Sequence, residues 1–206
     1  MTQPIATWLK DLLPRTPGIN RKVATREFIM AAREFFRQST VWRVALENSY
    51  FADGEYGYAA VTSEPDSEIV QIYSVEANGI QLQPVVERPT GERTTGTPTR
   101  WIPLGLNRFD VWPTPDVYDD TVIIRAILIP TASTTTLPDF AYARWYDAFI
   151  DGALGRIYAH PAKPYSNPTL GEYHLRRFRS AIGQASGESK QGGIVAQNWV
   201  FPPFAK

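Results

Sequence analysis

Between residues 24 and 38 apolar side chains recur at spacings of four, three and four, at Ala24, Phe28, Ala31 and Phe35. Arg26, Glu27, Arg33, Glu34 and Arg37 take the other faces. A stripe of that period occupies one side of a 3.6-residue helix, so the pattern predicts an amphipathic helix from Ala24 to Gln38. A shorter helix is expected from Ile5 to Leu13, ending before Pro14, with a turn at Pro17-Gly18.

Near Thr40 the character changes to strand. Val41–Leu46, Glu55–Val61 and Glu68–Val75 are rich in β-branched or aromatic residues, and Asp53-Gly54 separates the first two. Asn78-Gly79 stands between Glu68–Val75 and Ile80–Val86. Both residues tolerate positive φ, so a hairpin is expected there. Pro84 has no N–H for a ladder and assigns part of its strand to an edge or a bulge. Arg88–Thr99 reads as a mobile loop, and Trp101–Trp112 as a strand pair turning around Gly105–Asn107. Thr121–Ile129 is the most continuous apolar run and belongs at the centre of a sheet.

The helical period returns after Leu137. Pro138 suits a first helical turn, where its missing N–H would have had no partner. The helix from Asp139 to about Ala159 carries two stripes. Tyr142, Tyr146, Phe149, Ala153 and Ile157 form one; Ala141, Trp145, Ala148, Gly152, Gly155 and Ala159 form the other. Glycine inside a helix costs ~1 kcal/mol against alanine, so the second stripe predicts a seam where another backbone approaches closely. Arg144, Asp147 and Asp151 mark the solvated side.

The turn from His160 to Asn167 contains Lys163, Pro164 and Tyr165. Asn167-Pro168 then opens a fourth helix, with the Asn side chain free to cap and the proline ring at helical φ. This helix turns Leu175, Phe178, Ile182 and Ala185 inward and Arg176, Arg177 and Arg179 outward, the three arginines being candidate channel or interface residues.

Gly187–Gly193 has the composition of a flexible linker. It leads to Ile194–Phe204, an apolar arm with Trp199, Val200, Phe201 and Phe204 as candidate anchors. Burying its three aromatic side chains yields roughly 5–9 kcal/mol gross. Ordering about eleven residues costs on the order of 11–20 kcal/mol. The arm therefore needs backbone pairing as well, most simply by adding a strand to a sheet edge on a neighbouring subunit, a partner or its own domain.

The elements read helix–helix–sheet–helix–helix, an α+β class. Residues 1–40 and 131–186 are expected to form a four-helix, hairpin-containing helical domain. Residues 41–130 form an inserted, mainly antiparallel β-domain, and 187–206 the linker and arm.

Composition removes several function classes. The 206 residues are 43% hydrophobic, enough for a sizeable core and against wholesale disorder. No apolar run approaches the ~18 residues of a membrane span, and the first residues do not resemble a secretory signal. Cysteine is absent, which removes disulfides, thiolate metal sites and cysteine nucleophiles. Together these point to the cytoplasm. The net charge is zero but segregated: residues 1–40 hold seven Lys/Arg against three Asp/Glu, residues 41–138 six against thirteen, and residues 139–206 eight against five. Basic ends of +4 and +3 thus flank a middle of −7. That pattern is either ordinary solvated charge or a field that orients one subunit against its neighbours.

Catalytic signals are weak. His160 sits where an imidazolium complements a helix C-terminus, His174 falls on a surface-leaning position, and no serine motif accompanies either. HExxH, EF-hand and Walker patterns are missing. Asp119-Asp120 fits a turn better than a glycosidase pair, and the six Trp and ten Tyr fit a core better than a sugar-binding face. No catalytic residue, metal or cofactor is expected.

Several segments, in order, resemble one family. Phe28–Trp42 carries Ala-Ala-Arg-Glu-Phe running into Ser-Thr-Val-Trp-Arg; Tyr58–Val86 supplies strands and Leu137-Pro138 a helix start. Asp151-Gly-Ala-Leu-Gly-Arg-Ile-Tyr158, Lys163-Pro-Tyr-Ser-Asn-Pro168 and Tyr173–Phe178 follow. Over residues 20–185 the chain resembles the head-to-tail adaptor proteins of short-tailed bacteriophages, also called tail tubular or head–tail connector proteins. Tyr165 stands where that family would place Trp, a difference in packing. The resemblance implies a virion protein of the neck, assembled in the host cytoplasm. It further implies a ring of twelve copies beneath the portal, contact with a distal tail or nozzle protein, and a lumen through which double-stranded DNA passes unread. On this view the helices form the ring wall, the sheet faces the distal tail, and the arm reaches toward the portal or the next subunit. A stopper or tail-completion protein is the alternative within virions, and a carbohydrate-binding β-module the alternative from another class.

Overall fold

The computed structural model describes residues 2–51, 57–86, 94–116 and 119–190. Four helices are present: α1 (Ala6–Leu12, continued by a 3-10 turn Leu13–Arg15), α2 (Arg21–Ser39), α3 (Asp139–Tyr158) and α4 (Pro168–Lys190). The strands are β1 (Thr2–Pro4), β2 (Arg43–Phe51), β3 (Tyr58–Ala59), β4 (Ser67–Ala77), β5 (Ile80–Gln81), β6 (Gln83–Pro84), β7 (Arg100–Pro103), β8 (Arg108–Trp112), β9 (Asp119–Pro130) and β10 (Thr136–Pro138). The class is mixed α+β, with sheets that are antiparallel apart from one short pair, β6 with β7.

Local chemistry explains the element ends. Asn20 Oδ1 accepts the Lys22 N–H at 2.8 Å and starts α2. Thr40 closes it in the left-handed conformation, φ 54°, with its N–H on the Phe36 carbonyl. Asn78 and Gly79, at φ 49° and 76°, form the turn between β4 and β5, as their residue types predict.

The strands divide into two four-stranded sheets, ordered β2-β9-β4-β5 and β3-β8-β7-β6, rather than one. Glu55–Val61 shortens to the two residues of β3 within the described chain, and Ile80–Val86 splits into β5 and β6, one for each sheet. Pro84 indeed occupies an edge strand, β6. Strand β9 lies between β2 and β4, and Ile124, Ala126, Ile127, Leu128 and Ile129 are buried on both of its faces. Burial on two sides is why this run shows no alternation.

A third, two-stranded sheet pairs Thr2–Pro4 with Thr136–Pro138. Pro138 is therefore the last strand residue and the N-cap of α3, not part of its first turn. Both strands are edges, where proline is tolerated. The ladder ties the first residues of the chain to the start of α3.

Helix α3 packs against α2 and α4 around an aromatic core. The Phe149 ring lies 4.8 Å from Phe35, 5.6 Å from Phe36, 6.2 Å from Phe28 and 6.3 Å from Trp8. Each of these rings is fully buried. At Trp145 the α3 backbone leaves helical geometry, φ −120° and ψ 18°, which kinks the helix where its indole meets Phe35 at 5.4 Å.

Candidate assembly interface

The small-residue stripe of α3 meets α4. A Cβ on Gly152 would stand 2.7 Å from Phe178 Cε2 and 3.0 Å from Ala31 Cβ; one on Gly155 would stand 2.6 Å from Leu175 Cγ. Gly171 on α4 answers from the other side, where a Cβ would lie 3.2 Å from the Gly155 carbonyl. Trp145 and Ala148 are buried along the same stripe, whereas Ala159 at the end of α3 is exposed and meets α4 only through its backbone, with its N 3.5 Å from the Cβ position of Gly171. Tyr142, assigned to the inward stripe, is 39% exposed, with its ring nearly perpendicular to that of Trp8 at 5.4 Å.

Two polar residues expected on the surface are buried. Asp151 and His174 are only 5% and 8% exposed, and Asp151 Oδ1 lies 2.7 Å from His174 Nδ1 across the α3–α4 contact. Arg177 Nε completes the cluster 3.0 Å from Asp151 Oδ2, so both carboxylate oxygens are engaged. The His174 ring stacks on Tyr158 at 5.8 Å, and the Tyr158 hydroxyl donates to the Arg15 carbonyl at 2.8 Å. Burial raises the Tyr158 pKa and keeps this phenol a donor. The pattern carried a signal for His174: it stands three residues after Gly171 and four before Phe178, on the buried stripe of α4.

His160 lies just beyond the C-terminus of α3, with Nε2 3.6 Å from Glu27 Oε1. Glu27 is itself buried and takes Arg156 Nε at 3.2 Å, while Arg156 Nη1 reaches Glu34 at 3.0 Å. These pairs clamp α3 onto α2.

The turn between α3 and α4 is held by backbone bonds. Asn167 N–H donates to the Tyr158 carbonyl at 3.0 Å, and Ser166 N–H to the Lys163 carbonyl at 2.9 Å. Asn167 Oδ1 accepts the Leu170 N–H at 3.1 Å, so Asn167 and Pro168 start α4 as predicted. Tyr165 is half-buried beside His160, and Lys163 and Pro164 are exposed.

The outer face of α4 holds Arg176, Arg177 and Arg179. Arg176 pairs with Glu172 at 2.7 Å, which lowers the Glu172 pKa and raises that of Arg176. Arg177 hydrogen-bonds the Tyr173 hydroxyl and lies beside Asp151; in that order these raise its pKa. Two of the three arginines are therefore committed to partners within the subunit. Helix α4 also runs through Lys190, so Gly187–Lys190 are helical rather than linker. Ser189 is buried and donates from Oγ to the Thr40 carbonyl at 2.8 Å. The arm residues Trp199, Val200, Phe201 and Phe204 lie outside the described residues, as does the 88–93 part of the Arg88–Thr99 loop.

Among the described residues no group of three or more His, Asp or Glu side chains is placed to hold a metal ion, and no helix is long and apolar enough to cross a membrane. What the surface offers is a rigid helical face and the ends of two sheets. The family model of the SU10 adaptor protein matches residues 1–198. This chain belongs to the SU10 adaptor protein family. It is a phage structural adaptor of the head–tail type. No curated protein is significantly similar to it. The adaptor's match takes in the basic helices, the acidic β-region and the first residues of the arm, so these parts belong to one family unit. Family membership implies portal and tail proteins as partners and the virion neck as the place of action.

Proposed function

We propose that this adaptor forms a ring, of twelve copies, beneath the portal of a short-tailed phage. The ring joins the DNA-filled capsid to the tail and lines the passage through which the genome leaves. The observation that carries the reading is the family match over residues 1–198. Two features of the subunit support it. The helical layer is locked by glycine seams and buried ion pairs, which suits a wall that keeps its shape under load. The charge is segregated into basic helical ends and an acidic middle, which suits a subunit that is oriented between unlike neighbours.

The adaptor works by fit and has no reaction to perform. Its Arg176 is neutralised within the subunit by Glu172. A wall with few free cations lets DNA slide, because each phosphate contact would add affinity by counterion release. The acidic β-region faces the distal tail or nozzle protein, and assembly takes place in the host cytoplasm. Electron microscopy of the purified adaptor with its portal tests the proposal. Twelvefold rings seated on the portal are expected; a monomer that leaves the portal bare at micromolar concentration would refute it.

A further inference from the structure

One end of the helical layer gathers positive charge. Helices α2 and α4 run parallel and α3 runs against both, since Gly152 meets Ala31 and Phe178 while Ser189 bonds Thr40. Arg33 of α2 pairs with Glu68 of β4, and the start of α2 lies about 18 Å beyond that contact, away from the sheet. Three segments meet at this far end. The Tyr158 hydroxyl donates to the Arg15 carbonyl, the Tyr158 carbonyl accepts the Asn167 N–H, and His160 lies against Glu27. Residues 14–26 and 159–171 contain Arg15, Arg21, Lys22, Arg26, His160 and Lys163 but neither Asp nor Glu. All of these except His160 are exposed. The neighbouring acids are already engaged. Glu27 is buried among Arg26, Arg156 and His160, Glu172 pairs with Arg176, and Asp11 accepts the Tyr146 hydroxyl. Among the described residues no carboxylate pairs with Arg15, Arg21, Lys22 or Lys163. The starts of α2 and α4 add the positive ends of two helix dipoles.

A patch of this sign attracts either nucleic acid or an acidic protein face, and its surroundings favour protein. Pro14, Pro17, Pro161, Pro164 and Pro168 are exposed here and stiffen the loops that carry the cations. Backbone bonds from Ile19 N–H to the Thr16 carbonyl and from Ser166 N–H to the Lys163 carbonyl fix those loops further. Leu170 and Tyr173, 37% and 52% exposed, stand on the first turns of α4 beside the charge. Apolar and aromatic groups with cations at their rim, on a backbone already fixed, compose a protein interface with little left to order on docking. A surface that holds phosphates by counterion release needs no such apolar centre. In the ring reading the DNA passage has few free cations, so four unpaired ones belong on a face turned to protein. The sheets face the tail in that reading, and the opposite end meets the portal.

We propose that the end of the helical layer marked by Arg15, Arg21, Lys22 and Lys163 docks on an acidic face of the portal protein. This rests on the ring reading and names the surface that seats the ring. The cations steer and orient the subunit, and Leu170 and Tyr173 supply the apolar contact. The acidic β-region is repelled by the same portal face, which leaves the subunit one way up.

Lys22 and Lys163 are exposed, and a carboxylate at position 22 suits the first turn of α2, so Lys22→Glu/Lys163→Glu is compatible with folding. This variant would be compared with the unsubstituted adaptor and with Arg37→Glu/Arg108→Glu, an equal change of charge at exposed positions beside the sheets. Binding to purified portal is expected to weaken by about 30-fold or more in the first variant and by less than about threefold in the second. The milder Lys22→Gln/Lys163→Gln is expected to lose about fivefold. Equal binding by all the proteins, or equal weakening of the two Glu variants, would overturn the proposal. So would a Lys22→Glu/Lys163→Glu adaptor that keeps its hold on portal but loses binding to a short DNA duplex. In each of these outcomes the unsubstituted adaptor still seats on the portal, and the ring reading stands. Unsubstituted adaptor that leaves the portal bare would remove both.

Discussion

His174 Nδ1 and Asp151 Oδ1 lie 2.7 Å apart in the seam between α3 and α4, twenty-three residues apart in sequence. Arg177 holds the other oxygen of the same carboxylate. The cluster joins two helices through polar groups at a place where the surrounding contacts are glycine, phenylalanine and leucine.

Removing the carboxylate strands a buried imidazole nitrogen, whereas removing the imidazole leaves Asp151 still paired with Arg177. Asp151→Ala is therefore expected to lower unfolding stability by ~2–4 kcal/mol, and His174→Phe by clearly less. Urea denaturation of the two variants checks the order. Equal losses would mean that the pair does not act as a unit.

The glycines of the seam and those of the surface predict opposite signs. Gly152→Ala and Gly155→Ala place a methyl group inside van der Waals contact of Phe178 and Leu175. Despite the gain in helix propensity, each is expected to destabilise by ~1–3 kcal/mol. Gly183 in α4 has nothing within 4 Å of its Cβ position, so Gly183→Ala is expected to stabilise by ~0.5–1 kcal/mol. Thermal unfolding midpoints should move down for the first two and up for the third.

Phe149 touches rings from both α1 and α2. Phe149→Ala is expected to cost ~3–5 kcal/mol and to loosen α1 first. Hydrogen exchange would show protection lost at Trp8 and Leu9 before the β-sheet; uniform loss across the chain would contradict this order.

Asp66, at φ 55°, accepts the N–H and the hydroxyl of Thr135 through Oδ2, at 3.0 and 3.1 Å. The Thr135 backbone bond is the main reason its pKa falls below the ordinary 3.8. A depressed carboxylate stabilises the fold above its unfolded pKa and loses that contribution as pH falls through the folded one. Asp66→Asn should therefore lower stability at neutral pH and flatten its fall below about pH 4. Unfolding midpoints of both proteins between about pH 6 and 3 test this; parallel curves would exclude it. The group is exposed, so the effect is small.

Periodicity made most of the elements legible. Phe28 and Phe35 announced α2, the apolar run after Thr121 announced β9, and Asn78-Gly79 announced its turn, because each signal comes from neighbours in the chain. The same reasoning misplaced Asp151, His174 and Gly187–Lys190. A charged or glycine-rich segment reads as solvated when its partners, here Arg177 and Thr40, are distant in sequence or belong to another helix. Ala159 differs in the opposite sense: it meets α4 beside Gly171 through its backbone, while the residue itself is exposed at the end of α3.

From the sequence alone came the class of fold, the helix cap at Asn167, and the close approach at Gly152 and Gly155. These are local: propensity, capping and the volume of a missing Cβ act within a few residues. Only the tertiary structure decided that the strands divide into two sheets and that Thr2–Pro4 pairs with Thr136–Pro138. Such arrangements depend on which strands pair across long loops. That choice is made by the summed burial of the whole chain, which no single stretch of sequence contains.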